Sequence, residues 1–146
     1  MANQMTNVAK GLYLTGNITS LSDTFKIILM KSGFVFDPAT HTTYSAVSSN
    51  EVANGLGYTT GGQALASVAL AVNNTSNYAT ISWGQIEWTA TGGSLVASGA
   101  IIFDDSTTFA ADGYTDAVVT YIDFGSDKTA TDGQILRIQD INVKFS

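Results

Sequence analysis

Cysteine is absent from this sequence, and histidine and proline each occur once. The missing thiols exclude disulfide bridges and thiolate metal sites. His41 is then the single imidazole that could serve as a catalytic base, and no G-x-S-x-G motif supplies a matching nucleophile. We therefore expect a structural role for His41, and we expect the protein not to be an enzyme and to use no cofactor.

Charge is also scarce, since only 12% of the residues are Asp, Glu, Lys or Arg, about half of the usual share. The formal net charge is −6, and the few basic residues are scattered along the chain. Phosphate binding needs clustered Lys and Arg, so we expect no nucleic-acid partner. A surface covered mainly by Thr, Ser, Asn, Gly and Ala suggests packing against copies of the same chain or against a larger assembly.

Long apolar runs are missing as well. None approaches the roughly 20 residues that cross a membrane, and MANQMTNVAK lacks the apolar core of a signal peptide. We expect no membrane association and no export. The length of 146 residues fits one domain with its own hydrophobic core. We expect a single β-sandwich over residues 1–146, with an extended N-terminal arm at residues 1–8.

What the sequence does contain is strand patterning. Short β-branched and aromatic runs recur between clusters of Gly, Asn, Asp and Ser, whereas apolar residues at helical spacing are rare. About eight such runs predict an all-β, jelly-roll-like antiparallel sandwich with at most one or two short helical turns. A polar loop is predicted over Gly125–Gly133. The predicted strands are Val8–Gly16, Phe25–Met30, His41–Val47, Gln63–Val72, Tyr78–Ala90, Ser94–Phe103, Val118–Phe124 and Gln134–Phe145.

Three local patterns make sharper predictions. Phe25–Met30 is apolar at both odd and even positions, which predicts a strand covered on both faces. In Tyr78–Ala90 the apolar residues change parity at Gly84, which predicts a β-bulge there. Ser48, followed three residues later by Glu51, predicts a capped helix start.

The segment EVANGLGYTTGGQAL at residues 51–65 is rich in glycine. Gly55 and Gly57 begin a G-x-G pattern, but neither the remaining glycine of a dinucleotide loop nor the lysine of a phosphate loop follows. Gly61 and Gly62 fit a tight turn that needs positive φ. We interpret the segment as a shaped loop that leads into the next strand and contacts a neighbouring subunit.

Acidic and aromatic residues offer further candidate sites. Glu87, between Trp83 and Trp88, could form a carboxylate pair for glycoside hydrolysis with Asp104 or Asp105. The two tryptophans could instead stack on sugar rings, although a place in the core or at an interface is the simpler interpretation. Loop acids could bind Ca²⁺, but they lack EF-hand spacing and solvated acids are the simpler interpretation. The acids in question are Asp104, Asp105, Asp112 and Asp116, and then Asp123, Asp127 and Asp132.

Three longer stretches resemble a family of small virion proteins of tailed bacteriophages. They are GYTTGGQAL, ISWGQIEWTATGGSLVASGAIIFDDS and VVTYIDFGSDKTATDGQILRI. The resemblance covers residues 50–143 and lies in the order of the motifs, not in a catalytic signature. Phe103 stands where the family pattern has tyrosine before the Asp pair, and the N-terminal third matches only loosely.

This resemblance implies a capsid cement or decoration protein built on a jelly roll. Such a protein is made in the bacterial host cytoplasm and binds the outside of the capsid. Its implied partners are the major capsid protein and itself, as a homodimer or homotrimer. A head-fibre or tail component, and a carbohydrate-binding β-sandwich module, remain as alternatives.

Aromatic residues dominate protein interfaces, so they are our candidates for core or interface anchors. The glycine-rich segment is our candidate contact loop. The anchors are Tyr58, Trp83, Trp88 and Tyr121, and the loop glycines are Gly55, Gly57, Gly61 and Gly62.

Overall fold

The computed structural model describes residues 2–106 and 113–146, and antiparallel strands dominate it. Within these residues it contains ten strands and two short helices, which confirms the all-β sandwich predicted from the sequence. The strands are β1 (Ala2–Met5), β2 (Phe25–Met30), β3 (Gln63–Ala64), β4 (Ala69–Asn73), β5 (Tyr78–Ser82), β6 (Ile86–Thr89), β7 (Leu95–Asp104), β8 (Val118–Ala130), β9 (Ile135–Ile138) and β10 (Asn142–Phe145). The helices are α1 (Asn7–Thr15) and α2 (Tyr44–Val47).

In the described part of the chain the strands form three antiparallel groups. The large sheet has the order β1-β8-β7-β2-β3, the small sheet has the order β10-β5-β4, and β6 pairs with β9. The long pair β7 and β8 is the centre of the large sheet, with register from Leu95 opposite Ala130 to Phe103 opposite Val118. Neither described helix has the length and apolar character that would let it cross a bilayer.

The large sheet is covered by apolar side chains on both faces, as the pattern of Phe25–Met30 predicts. Ile27 and Leu29 lie in the main core, which also contains both tryptophans. Ile28 and Met30 lie in a second cluster on the opposite face. The segment containing α2 covers that second cluster.

The strand predicted at Val8–Gly16 is wrong, because this segment forms α1. Thr6 caps the helix by accepting a hydrogen bond from the Ala9 N–H at 3.0 Å, and Gly16 ends it at φ 75°. The buried side chains are Ala9 and Leu12, which lie one helical turn apart. The residues before α1, where we expected an extended arm, form β1 against β8.

Two further segments differ from the prediction. The polar loop predicted at Gly125–Gly133 is mostly strand, because β8 continues to Ala130, and residues 128–130 pair with β7. The strand predicted at His41–Val47 is wrong, since Tyr44–Val47 is the helix α2. In both segments the side-chain pattern gives little indication of the backbone structure.

Long predicted strands are divided where the chain changes sheet. Gly84 is not a bulge, since the chain leaves β5 there and enters β6 in another sheet. The predicted strand Gln134–Phe145 consists of β9 and β10, with Asp140 between them at φ 54°. Gln63–Val72 likewise splits into β3 and β4, with Ser67 at φ 56° in the gap. These breaks let one stretch of chain serve two sheets.

Candidate functional site

The glycine-rich segment packs tightly against the sandwich. A Cβ on Gly57 would lie 1.9 Å from the Thr89 carbonyl oxygen, and a Cβ on Gly62 would lie 1.9 Å from the Ile27 carbonyl oxygen. Both glycines also have positive φ. Gly55 and Gly61 have positive φ too, but a Cβ there would meet open space. Gly57 and Gly62 therefore have a packing role, and contact of the loop with a neighbouring subunit stays a prediction.

A buried carboxylate holds this segment in place. Glu51 is 4% exposed, and its Oε1 accepts hydrogen bonds from the Tyr58 hydroxyl at 2.6 Å and the Gly61 N–H at 2.7 Å. Its Oε2 accepts from the Tyr44 hydroxyl at 2.7 Å. A single turn of 3₁₀ helix does begin at Ser48, over Ser48–Asn50, as predicted, but no side chain caps it. The predicted capping role is wrong, because the Glu51 carboxylate accepts from the two tyrosines and Gly61 instead.

The two tyrosines in the network stay protonated at neutral pH. Burial raises the pKa of Tyr44 to about 12, and the hydrogen bond to Glu51 adds to the effect. Burial and the same carboxylate raise the pKa of Tyr58 further. The Tyr58 oxygen also accepts from the Leu29 N–H at 3.2 Å, so the network joins the glycine-rich segment to β2.

The predicted anchors all lie in the protein core, and none is more than 7% exposed. Trp83 packs on Phe25 with ring centroids 5.2 Å apart, and Tyr58 and Trp88 lie 6.1 Å apart. Tyr121 stacks on Phe36, which packs against the second cluster. The tryptophans therefore offer no exposed platform for a sugar ring.

The carboxylates proposed for catalysis have separate structural partners. Glu87 pairs with Arg137 across β6 and β9 at 2.5 Å, and Asp105 pairs with Lys26 at 2.9 Å. Of the acids considered for Ca²⁺, Asp112 lies outside the described residues. Within residues 2–106 and 113–146, no group of three or more His, Cys, Asp or Glu side chains comes together as a metal site.

His41 lies in a turn and contacts aromatic rings. Its Nδ1 accepts a hydrogen bond from the Asp37 N–H at 3.0 Å. Its ring centroid lies 5.2 Å from that of Phe34 and 5.8 Å from that of Phe36. These contacts give His41 a role in ordering the segment that covers the second cluster.

Asp104 is a buried acid whose environment the sequence did not indicate. Its Oδ1 accepts from the Ser106 N–H at 2.7 Å, while its Oδ2 is buried without a hydrogen-bond partner among the described residues. Burial raises the pKa of Asp104 to about 7, and the neighbouring carboxyl of Asp23 adds to the increase. Asp23 in turn accepts from the Thr19 N–H at 2.6 Å.

An open apolar groove of about 590 Å³ lies between α1 and the small sheet. Leu14 on α1 is 89% exposed, Leu21 is 59% exposed and Leu70 on β4 is 54% exposed. Ile81 and Phe145 also line the groove. The sequence did not indicate it, because Leu14 was placed on a strand and the other residues are distant in the chain.

The groove continues into an exposed strand edge. In the described part of the chain β4 pairs with β5 and lies at the end of the small sheet. Its residues Ala69 to Val72 are all exposed. An edge strand leaves backbone N–H and C=O groups available for pairing with another chain.

Comparisons with known family models, with curated proteins and with solved structures find no match. The apolar groove and the β4 edge are therefore the features from which a function can be argued. Both offer surface for binding, whereas Glu87, Asp105 and His41 each have a separate structural partner.

Proposed function

We propose that this protein is a structural protein of a bacteriophage virion, a capsid cement or decoration protein. It binds the outside of the capsid and stabilises contacts between major capsid protein subunits. The observation that carries the proposal is the apolar groove with Leu14, Leu21 and Leu70 at its surface. Exposed apolar patches rimmed by polar residues mark interaction sites, and their burial contributes about 25 cal/mol per Å².

The partner in the groove is an extended segment of the major capsid protein. Leu70 belongs both to the groove and to β4, so a segment lying in the groove can also pair with the free edge of β4. Such strand addition combines backbone hydrogen bonds with apolar contacts. The sparse charge of the chain and the resemblance of its motifs to virion proteins support the same partner.

Self-association strengthens this binding. As a homodimer or homotrimer the protein offers several grooves to a lattice of identical capsid subunits. Linked sites raise the apparent affinity well above that of one contact. A cement protein therefore needs only weak individual contacts.

Leu14→Glu tests the groove, with Val35→Glu as the matched control. Val35 is 81% exposed in a loop that does not line the groove, so both variants add a carboxylate to an exposed apolar position. Capsids assembled without the protein are mixed with each variant and sedimented. We expect the wild type and Val35→Glu to sediment with capsids, and Leu14→Glu to bind at least about tenfold more weakly. Equal binding of the two variants, or no binding by the wild type, would overturn the proposal.

Heating of the same capsids tests the cement role, since bound protein should raise the temperature at which they open. Mass spectrometry of purified virions separates this role from that of a head-fibre or tail component. Cement is present in many copies over the head, whereas a fibre or tail component is present in few.

A further inference from the structure

A second concave surface lies on the outward face of the small sheet. Paired residues of an antiparallel sheet project to the same face. Thr80 is opposite Lys144, and Ser82 is opposite Asn142, so these side chains share one face. Ile81, on the other face, lines the apolar groove. The two concave surfaces therefore lie on opposite sides of one thin sheet.

This surface is a polar cleft of about 680 Å³. Its volume lies within the range of roughly 300–1,000 Å³ that is usual for small-molecule sites. Hydroxyl and amide side chains line it, whereas such sites are usually mainly apolar. The charged residues in the lining are Asp140 and Lys144, one of each sign. A polar, uncharged ligand fits this lining better than an apolar molecule or an ion.

Several groups in the cleft have hydrogen-bonding capacity left. The Tyr78 oxygen accepts from Asn73 Nδ2 at 3.2 Å, and its own O–H has no acceptor among the described residues. Gln139 donates one N–H to Gln85 Oε1 at 3.4 Å, which leaves its carbonyl oxygen and second N–H available. Donors and acceptors thus stand side by side in the cleft, as pairs of sugar hydroxyls require.

The rim of the cleft is held by side-chain amides that donate to its backbone carbonyls. Asp140 adopts φ 54°, and its carbonyl oxygen accepts from Asn142 Nδ2 at 2.7 Å. Asn3 Nδ2 donates to the Asn142 carbonyl oxygen at 2.7 Å, which ties the rim to β1. A rim fixed from two sides keeps the lining groups in place before a ligand arrives, which lowers the cost of binding.

We infer that this cleft binds a neutral oligosaccharide, with Tyr78, Gln139 and Lys144 as ligand-binding residues. Lys144 Nζ lies 4.2 Å from the centre of the Tyr78 ring. A cation over a half-buried ring beside water is held by only about 1 kcal/mol, so a sugar can displace it and take the ring face. The inference is independent of the proposed capsid role, because it uses the opposite face of the small sheet.

Titration of the ¹⁵N-labelled full-length chain with maltotriose, cellotriose and triacetylchitotriose tests the inference. We expect at least one to bind with a Kd of about 1 mM or tighter and to shift the amide signals of β5 and β10. Absence of shifts in these strands with all three sugars at about 10 mM would overturn it. Tighter binding of a sulfated trisaccharide than of any neutral one would also overturn it, since the site would then select anions.

Two variants locate the binding. Gln139→Ala and Tyr78→Ala should each weaken binding at least about tenfold. Gln4→Ala is the control, because Gln4 is an exposed glutamine on the large sheet. If Tyr78→Ala fails to fold, Gln139→Ala decides the matter, because Gln139 is exposed. Unchanged binding by Gln139→Ala, or an equal loss in Gln4→Ala, would contradict the proposed site.

Discussion

Glu51 stabilises the fold from one buried position. Its carboxylate accepts hydrogen bonds from two tyrosine hydroxyls and one backbone N–H, and so connects the glycine-rich segment to α2. The sequence indicated the importance of Tyr58 and of the glycines, but not the acid between them. A buried glutamate is uncommon, and nothing in the local pattern distinguishes it from a helix cap. The partners of Glu51 can be found only once the chain has folded.

Replacement of this acid should be costly. Glu51→Ala leaves the buried Tyr58 hydroxyl and the partly buried Gly61 N–H without their acceptor. We expect the free energy of unfolding in urea to fall by about 3 kcal/mol. The control is Glu87→Ala, which removes a partly exposed ion pair with Arg137 and should cost less than about 1 kcal/mol. Equal losses in both variants would show that the buried network contributes nothing beyond an ordinary surface pair.

Asp104 makes stability depend on pH. Its pKa in the folded protein is about 7, raised from 3.8. Between these two pH values the folded state therefore holds a proton that the unfolded state has released. Stability therefore decreases as the pH rises from about 4 to about 7, and the loss is complete above that range. Asp104→Asn should remove this loss, because an amide needs no proton to remain neutral.

Thermal unfolding of Asp104→Asn at pH 5 and pH 8 checks this. We expect the variant to gain on the order of 2 kcal/mol over the wild type at pH 8, and clearly less at pH 5. Asp105→Asn is the matched control, since Asp105 is partly exposed and pairs with Lys26. A gain at pH 8 no larger than the gain at pH 5 would mean that Asp104 is ionised in the folded protein at both values.

At the scale of elements, prediction succeeded where the apolar pattern of the sequence matches burial in the fold. β2 is apolar on both faces because cores lie on both sides of it, and its pattern already predicted this. α1 was missed because Val8, Leu12 and Leu14 share one parity, while Leu14 is exposed and burial follows the helical spacing. The end of β8 was missed because its residues from Gly125 to Thr129 are exposed. Backbone pairing of residues 128–130 with β7, which side-chain pattern does not reveal, keeps this end in the sheet.

Replacement of Thr6, the capping residue of α1, tests what determines where the helix begins. Thr6 accepts from the Ala9 N–H at 3.0 Å and donates its hydroxyl to the Val118 carbonyl oxygen at 2.6 Å. Thr6→Ala removes both contacts, so we expect a loss of about 1–2 kcal/mol in urea unfolding. Thr15→Ala, at the exposed end of the same helix, should cost far less. Similar losses in the two variants would mean that the cap does not determine where α1 begins.

At the scale of the molecule, neither concave surface could be predicted from the sequence. The groove combines α1 with Leu70 and Phe145, and the cleft combines the faces of β5 and β10. Their residues come together only through sheet order and register, which strand patterns do not specify. The sequence of strand patterns along the chain therefore contains the parts of each site without their arrangement.

Because the two surfaces lie on opposite faces of the small sheet, their functions should separate. We expect Leu14→Glu to lose capsid binding while retaining sugar binding, and Gln139→Ala to do the reverse. The double variant should show both losses without an additional one, since distant sites without shared partners are additive. Capsid sedimentation and sugar titration of all three variants measure this. If either single variant impairs both activities, the small sheet transmits changes between its faces, and the two surfaces form one coupled site.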